Sequence, residues 1–223
     1  MFESKYNKLL TVILIIVVIA IIGLLGFLGF NYFNENNSTQ DASTFVDNYV
    51  PDDDIPEGNG EPIDEDNNPE NPLEQASSGG GSGNGSATVK KTYKGYTVDG
   101  TMQIPKINFS YPVLEKVTKN SIETSVAILY GAGLNQVGNT VIIGHNYRNG
   151  QFFSNNKKLA NGDKIHITDY EGNKKTYVIY NKFETTPEDT SFYQRDTNGK
   201  SEITLSTCTD DSSARLIIFA REE

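Results

Sequence analysis

Leu9 to Phe30 is an unbroken run of 22 residues with no charged side chain, and Thr11 carries its only hydroxyl. At about 1.5 Å per residue, a helix of that length crosses the roughly 30 Å hydrocarbon layer of a bilayer. Lys5 and Lys8 precede it, and no further Lys or Arg appears before Lys90. That asymmetry places the N-terminus in the cytoplasm and everything after Phe30 outside the cell membrane. A cleaved signal would have a shorter apolar stretch and a small-x-small cleavage site, which Asn31-Tyr32-Phe33-Asn34 does not offer. A buried core helix is a third and lesser reading, because the run is apolar all round. The reading is a cytoplasmic head (residues 1–8) and one uncleaved single-pass helix (residues 9–30).

The next segment is of opposite character. Residues 31–89 hold thirteen Asp/Glu and no Lys or Arg, and they end in a Gly/Ser-rich tract from Ser77 to Ser86. Such a composition buries too little apolar surface to offset chain entropy, so a disordered acidic stalk is expected over residues 31–95. The net charge of −10 belongs to this segment; residues 90–223 carry 17 Lys/Arg against 15 Asp/Glu, a net of +2. With no basic cluster in that part, nucleic-acid binding has no support.

From Tyr96 onward the texture changes to short β-branched runs separated by turn signals. Strands are expected near Met102–Ile104, Tyr111–Leu114, Ser125–Tyr130, Asn139–Gly144, Lys164–Thr168, Lys174–Asn181, Ile203–Leu205 and Leu216–Phe219. Short helices are expected near Thr118–Ser125 and Gln151–Leu159. The fold class is all-β, a single barrel or sandwich domain over residues 96–223.

One cysteine excludes an internal disulfide and leaves a lone thiol at Cys208, where a β-like run ends. Arg215 opens the next run, so thiol and guanidinium reach the same end of a sheet. A thiol attacks as thiolate, and a nearby cation favours that form. Of the two histidines, His145 follows a buried run and Gly144 in a polar loop, a position suited to catalysis. His166, between Ile165 and Ile167, projects away from the core and reads as a bystander. Each residue alone also has a structural reading: an inert buried thiol, a strand-end histidine, a surface charge. One Cys and two dispersed His lack metal-ligand spacing. Glu171, Glu184, Glu188 and Asp189 form no calcium signature. Asp210 and Asp211 read as a solvated turn, with orientation of an amine or of Arg215 as the other reading.

Thr204-Leu205-Ser206-Thr207-Cys208, followed by Arg215 and preceded by His145 at a distance of 63 residues, resembles the signature of the sortases. The anchor, stalk and terminal β-domain resemble that family's layout. The resemblance covers roughly residues 98–223 and implies an eight-stranded β-barrel with one or two short helices. It implies a cysteine transpeptidase at the outer face of a Gram-positive membrane, without a cofactor. Such an enzyme cleaves a C-terminal sorting signal, commonly of the Leu-Pro-x-Thr-Gly type, in secreted proteins, holds the acyl group as a thioester and passes it to an amine of a peptidoglycan precursor or a pilin lysine. Carried onto this chain, Cys208 is the nucleophile and His145 the proton carrier. Arg215 binds substrate and stabilises the oxyanion together with a backbone N–H near Cys208, and Thr207 lies beside the substrate. No Asp-Pro-aromatic lid motif stands in the stalk, and the interval before Cys208 leaves little room for a long inserted helix, so the subclass stays open. The residues also leave open a thiol hydrolase using water as acceptor, and a non-enzymatic stalked binding module with an inert Cys208.

Overall fold

The computed structural model describes residues 3–49 and 89–223. Its first element, α1, runs from Glu3 to Asp47. Leu10–Phe30 within it is long and apolar enough to cross a membrane, and none of that window is buried by the rest of the chain. The helix does not stop at Phe30, where the stalk was expected to begin. Its last turns dock on the β-domain, burying Ala42 and Val46. Thr39 accepts a hydrogen bond from the Tyr111 hydroxyl at 3.1 Å, and Asp41 accepts one from Tyr93 at 3.2 Å. Asp41 also pairs with Lys94 at 2.9 Å, which lowers the carboxyl pKa of Asp41. Phe45 meets Tyr93 edge-on at 5.0 Å. The acidic composition of the segment hid a short apolar stripe at helical spacing, Ala42, Phe45 and Val46. Residues 50–88, the greater part of the expected stalk, lie outside the described residues.

The β-domain has nine strands: β1 Thr92–Tyr93, β2 Tyr96–Ile104, β3 Phe109–Leu114, β4 Val126–Tyr130, β5 Gly138–Ile143, β6 Lys164–Asp169, β7 Lys174–Thr185, β8 Ser201–Cys208 and β9 Arg215–Glu222. Their order is β1-β2-β3-β4-β5-β8-β9-β7-β6, and an additional β2–β6 pairing closes β2 to β9 into an eight-stranded barrel. β1 is a two-residue hairpin arm on β2, and Lys90 already reaches Asp99 and Glu115, so the folded part begins before the expected boundary at residue 96. The seam closes at Gly100, which pairs with both Val113 and Asp169. A Cβ there would stand 2.8 Å from the Asp169 Cα, so no larger residue lets β6 approach.

The expected helices appear as α2, Lys119–Thr124, and a 3-10 helix, Phe153–Lys158. α2 opens on a capping box in which Thr118 and Ser121 exchange side-chain-to-backbone bonds. Alternating inward residues of β2, β3, β6 and β7 fill the barrel with Met102, Ile104, Tyr111, Val113, Ile165, Ile167, Tyr177 and Ile179. A second, smaller apolar cluster lies on the outer face, where Val141, Ile217 and Phe219 are covered by Phe192 from the β7–β8 loop.

Candidate active site

β8 lies between β5, which it pairs in parallel, and β9, which it pairs antiparallel. It is covered on one face by the barrel interior and on the other by the β7–β8 loop, so every residue from Ser201 to Thr207 is buried. Cover ends at Cys208, which is half-buried. Opposite it in the ladder stands Arg215. The Thr209 N–H donates to the Ala214 carbonyl at 3.0 Å while the Ala214 N–H turns to Thr209 Oγ1 at 3.1 Å, so the backbone bond lies just beyond Cys208 and Arg215. The adjacent Cys208–Arg215 pair is therefore non-hydrogen-bonded, the geometry in which facing side chains stand closer. Arg215 Nη1 accordingly donates to Cys208 Sγ at 3.2 Å.

His145 is fixed by the parallel neighbour. β5 ends at Ile143, and the Gly144 N–H reaches the Ser206 carbonyl at 3.3 Å while Thr207 Oγ1 donates to the Gly144 carbonyl at 2.7 Å. Glycine is required here by contact, since a Cβ would sit 2.7 Å from Val126 Cγ1 and 3.0 Å from Phe153 Cδ2. After it, the His145 carbonyl accepts from the Phe153 N–H at 3.0 Å. The imidazole stacks on Tyr147, with centroids 4.9 Å apart and planes 28° from parallel. Its buried Nε2 lies 3.3 Å from Glu123 Oε1 on α2, at an angle that makes no hydrogen bond, so the contact is an ion pair when the ring is protonated. The Tyr147 hydroxyl donates to the same carboxylate. Burial, and then that carboxylate, push the Tyr147 pKa up.

The turn after Cys208 is held by polar contacts. Asn146 Nδ2 donates to the Cys208 carbonyl and to Asp210 Oδ1, both at 3.0 Å. Asp210 also pairs with Lys157 of the 3-10 helix at 2.6 Å, and these two partners hold its carboxyl below the usual range. Asp211 accepts from Thr209 and Ser213 within the turn, which lowers its pKa to about 2. Both aspartates build the turn.

Cys208, His145 and Arg215 border one groove of about 300 Å³ on the outer face of the barrel. Its apolar side is formed by Leu129, Ile143 and, from the β7–β8 loop, Pro187 and Tyr193. A register shift between Ile128 and Tyr130 marks a bulge that turns Leu129 and Tyr130 toward the same outer cluster. The loop is anchored from beneath. Asn139 Nδ2 donates to the carbonyls of Phe192 and Tyr193, and Arg195 Nη2 reaches Asn139 Oδ1 and Glu202 Oε2, each at 2.8 Å.

The structure thus brings together Cys208, His145, Arg215 and Thr207 from separate stretches of the sequence. His166 lies elsewhere, on β6, bonded to Thr176 Oγ1 at 3.1 Å. Among the described residues, no group of three or more His, Cys, Asp or Glu side chains is arranged to hold a metal ion. Sequence reasoning missed Glu123, Tyr147, Asn146 and Lys157 as partners of the site. Asn146 and Tyr147 follow His145 directly, which is a signal; Glu123 and Lys157 carry none, because only the packing of two short helices brings them in.

The family model of the sortase domain matches residues 102–223. Among solved structures, the chain is similar to sortase A from Corynebacterium diphtheriae, at 30% identity and TM-score 0.52 over 57% of this chain and 61% of that one. It is similar to a Clostridium perfringens sortase D5 transpeptidase, at 29% identity and TM-score 0.52, over 57% and 79%. Sortase C-1 from Actinomyces oris matches at 25% identity and TM-score 0.51, over 56% and 71%. The matches span three sortase classes, A, C and D. No curated protein sequence matches the chain.

Proposed function

The chain belongs to the sortase family, and on that premise we propose that it is a membrane-anchored cysteine transpeptidase acting on the sorting signals of secreted proteins outside the cell. The observation that carries this reading is the 3.2 Å contact of Arg215 Nη1 with Cys208 Sγ in the groove that His145 also borders. The guanidinium faces the sulfur that attacks, and its remaining N–H groups can meet an oxyanion formed beside it. Cys208 is half-exposed and borders that groove, as a nucleophile must.

On this reading the acyl transfer proceeds in two stages. The Cys208 thiolate adds to the carbonyl carbon of the signal's threonine, and the C=O electron pair moves to oxygen, where Arg215 meets the charge. Collapse breaks the C–N bond, the His145 imidazolium gives its proton to the departing glycine amine, and a thioester remains. An incoming amine of a cell-wall precursor then adds to the thioester, His145 takes its proton, and the C–S bond breaks to restore the thiolate. The acyl transfer so written needs no cofactor. The apolar side of the groove, from Leu129 to Tyr193, suits the Leu-Pro half of a Leu-Pro-x-Thr-Gly signal, and Thr207 borders the reacting end.

The test uses the full-length chain in detergent micelles with a panel of fluorogenic signal peptides, with and without diaminopimelate or triglycine, beside Cys208→Ala. Cleavage that needs Cys208 and yields an amine adduct is expected. Cleavage without an adduct would mean a thiol hydrolase. No turnover, with Cys208 inert to iodoacetamide, would leave a binding module.

A further inference from the structure

A second cavity adjoins the groove at Tyr193. On the far side of that ring this larger depression of about 500 Å³ opens over the start of β5, bordered by Tyr130, Val137, Gly138 and Asp196. Tyr193 lines both cavities, and its ring lies 5.5 Å from that of Tyr130. The two cavities sit at opposite ends of one strand, since Gly138 borders the second and Ile143 the first. Gly138 pairs with Ser201 and Ile143 with Ser206, so Cys208 stands about seven residues, roughly 23 Å at about 3.3 Å per residue, from the second cavity along the strands. A four-residue acyl half starting at Cys208 thus fills the first cavity, and the residues before it arrive at the second.

Two independent features mark the second cavity as a place for a peptide. Val137 at its edge is 66% exposed, and outside the membrane-spanning run the only other exposed large apolar side chains among the described residues are Val89 and Tyr147. The charge there is also unbalanced. Arg195 is neutralised by Glu202 at 2.8 Å and lies over the Phe219 ring at 3.6 Å. Asp196 is exposed and accepts only the Asn198 N–H at 2.8 Å, with no ion pair among the described residues.

We propose that this cavity binds, as an extended chain, the polypeptide immediately preceding the sorting signal, and that Asp196 favours a Lys or Arg within it. The inference rests on the transpeptidase reading above, because the apolar groove between Cys208 and Tyr193 is what orients the acyl half toward Asp196.

The experiment compares four fluorogenic peptides on the full-length chain in micelles: the five-residue signal alone, and the signal preceded by Ser-Lys-Ser, Ser-Ala-Ser or Ser-Glu-Ser. With one exposed ion pair at stake, kcat/KM is expected to favour the Lys over the Ala peptide by about 1.5- to 5-fold and to disfavour the Glu peptide similarly. Asp196→Lys inverts the order. Asp196→Asn, which keeps an acceptor for the Asn198 N–H, levels it. Equal rates for the three extended peptides, or a Lys preference that survives both substitutions, would overturn the subsite while leaving the transpeptidase intact. Failure to cleave even the five-residue signal would overturn both.

Discussion

Replacing Arg215 tests the mechanism at its most exposed point. Arg215 Nη1 meets Cys208 Sγ at 3.2 Å across a non-hydrogen-bonded pair of β8 and β9, so the ladder itself holds the guanidinium at the sulfur. One N–H engages sulfur in the resting enzyme, and others remain for the oxyanion. Removing one donor of this kind costs about 10²–10³ in kcat, or about 2.7–4 kcal/mol of transition-state stabilisation. Arg215→Ala is therefore expected to lower kcat by about two to three orders of magnitude, with a smaller change in KM. Arg215→Lys restores charge but replaces a planar fork, able to meet sulfur and oxyanion together, with one ammonium, so it is expected to recover little. Steady-state kinetics on the cleaved signal peptide, with circular dichroism to verify the fold, gives the answer. Arg215→Ala within five-fold of wild type would refute the role given to Arg215, and full activity in Arg215→Lys would show that charge alone acts there.

Gly144→Ala places a Cβ 2.7 Å from Val126 Cγ1 and 3.0 Å from Phe153 Cδ2; the overpacking is expected to cost about 1–3 kcal/mol in thermal unfolding. Because His145 follows directly, kcat should fall with it, and an unchanged Tm would show that the barrel yields there freely. Ala42→Glu puts a carboxylate into the buried contact between α1 and β3 and is expected to release that end of the helix. Loss of about 1–2 kcal/mol of stability and faster amide exchange in β1 and β3 should accompany that release; no change would mean that docking contributes nothing. Asp211, lowered from the ordinary 3.8 to about 2 by Thr209 and Ser213, stabilises the folded turn when ionised. That contribution is complete above about pH 4 and fades as pH falls toward 2. Asp211→Asn should therefore flatten the acid dependence of turn 209–214 in amide exchange, and an identical profile in both proteins would contradict it.

Much of the site is legible in the order of amino acids alone. Cys208 and Arg215 stand at the facing ends of two β-branched runs joined by a polar turn, and a hairpin brings such ends together whatever surrounds it. His145 is legible because a buried run stops at Gly144 and a polar loop follows. The apolar run at Leu9–Phe30 needs only its length and its lack of charge. These are local properties, set by period, composition and the positions of turn residues.

Tertiary structure decided what depends on packing between distant segments. Composition pointed to a loose tether after Phe30, yet Ala42, Phe45 and Val46 find Tyr93 and its neighbours, and the helix persists to Asp47 because a partner surface exists. Glu123 meets His145 only because α2 and the end of β5 lie together, and Lys157 reaches Asp210 only across the mouth of the barrel. Likewise, nothing in the order Phe192-Tyr193-Gln194-Arg195-Asp196 says that one ring divides two cavities. Asn139, Glu202 and the Leu129 bulge set that loop in place, and they come from three strands that only the closed sheet makes neighbours. A sequence specifies which side chains can react; which of them meet is settled by the long-range pairing that buries the rest.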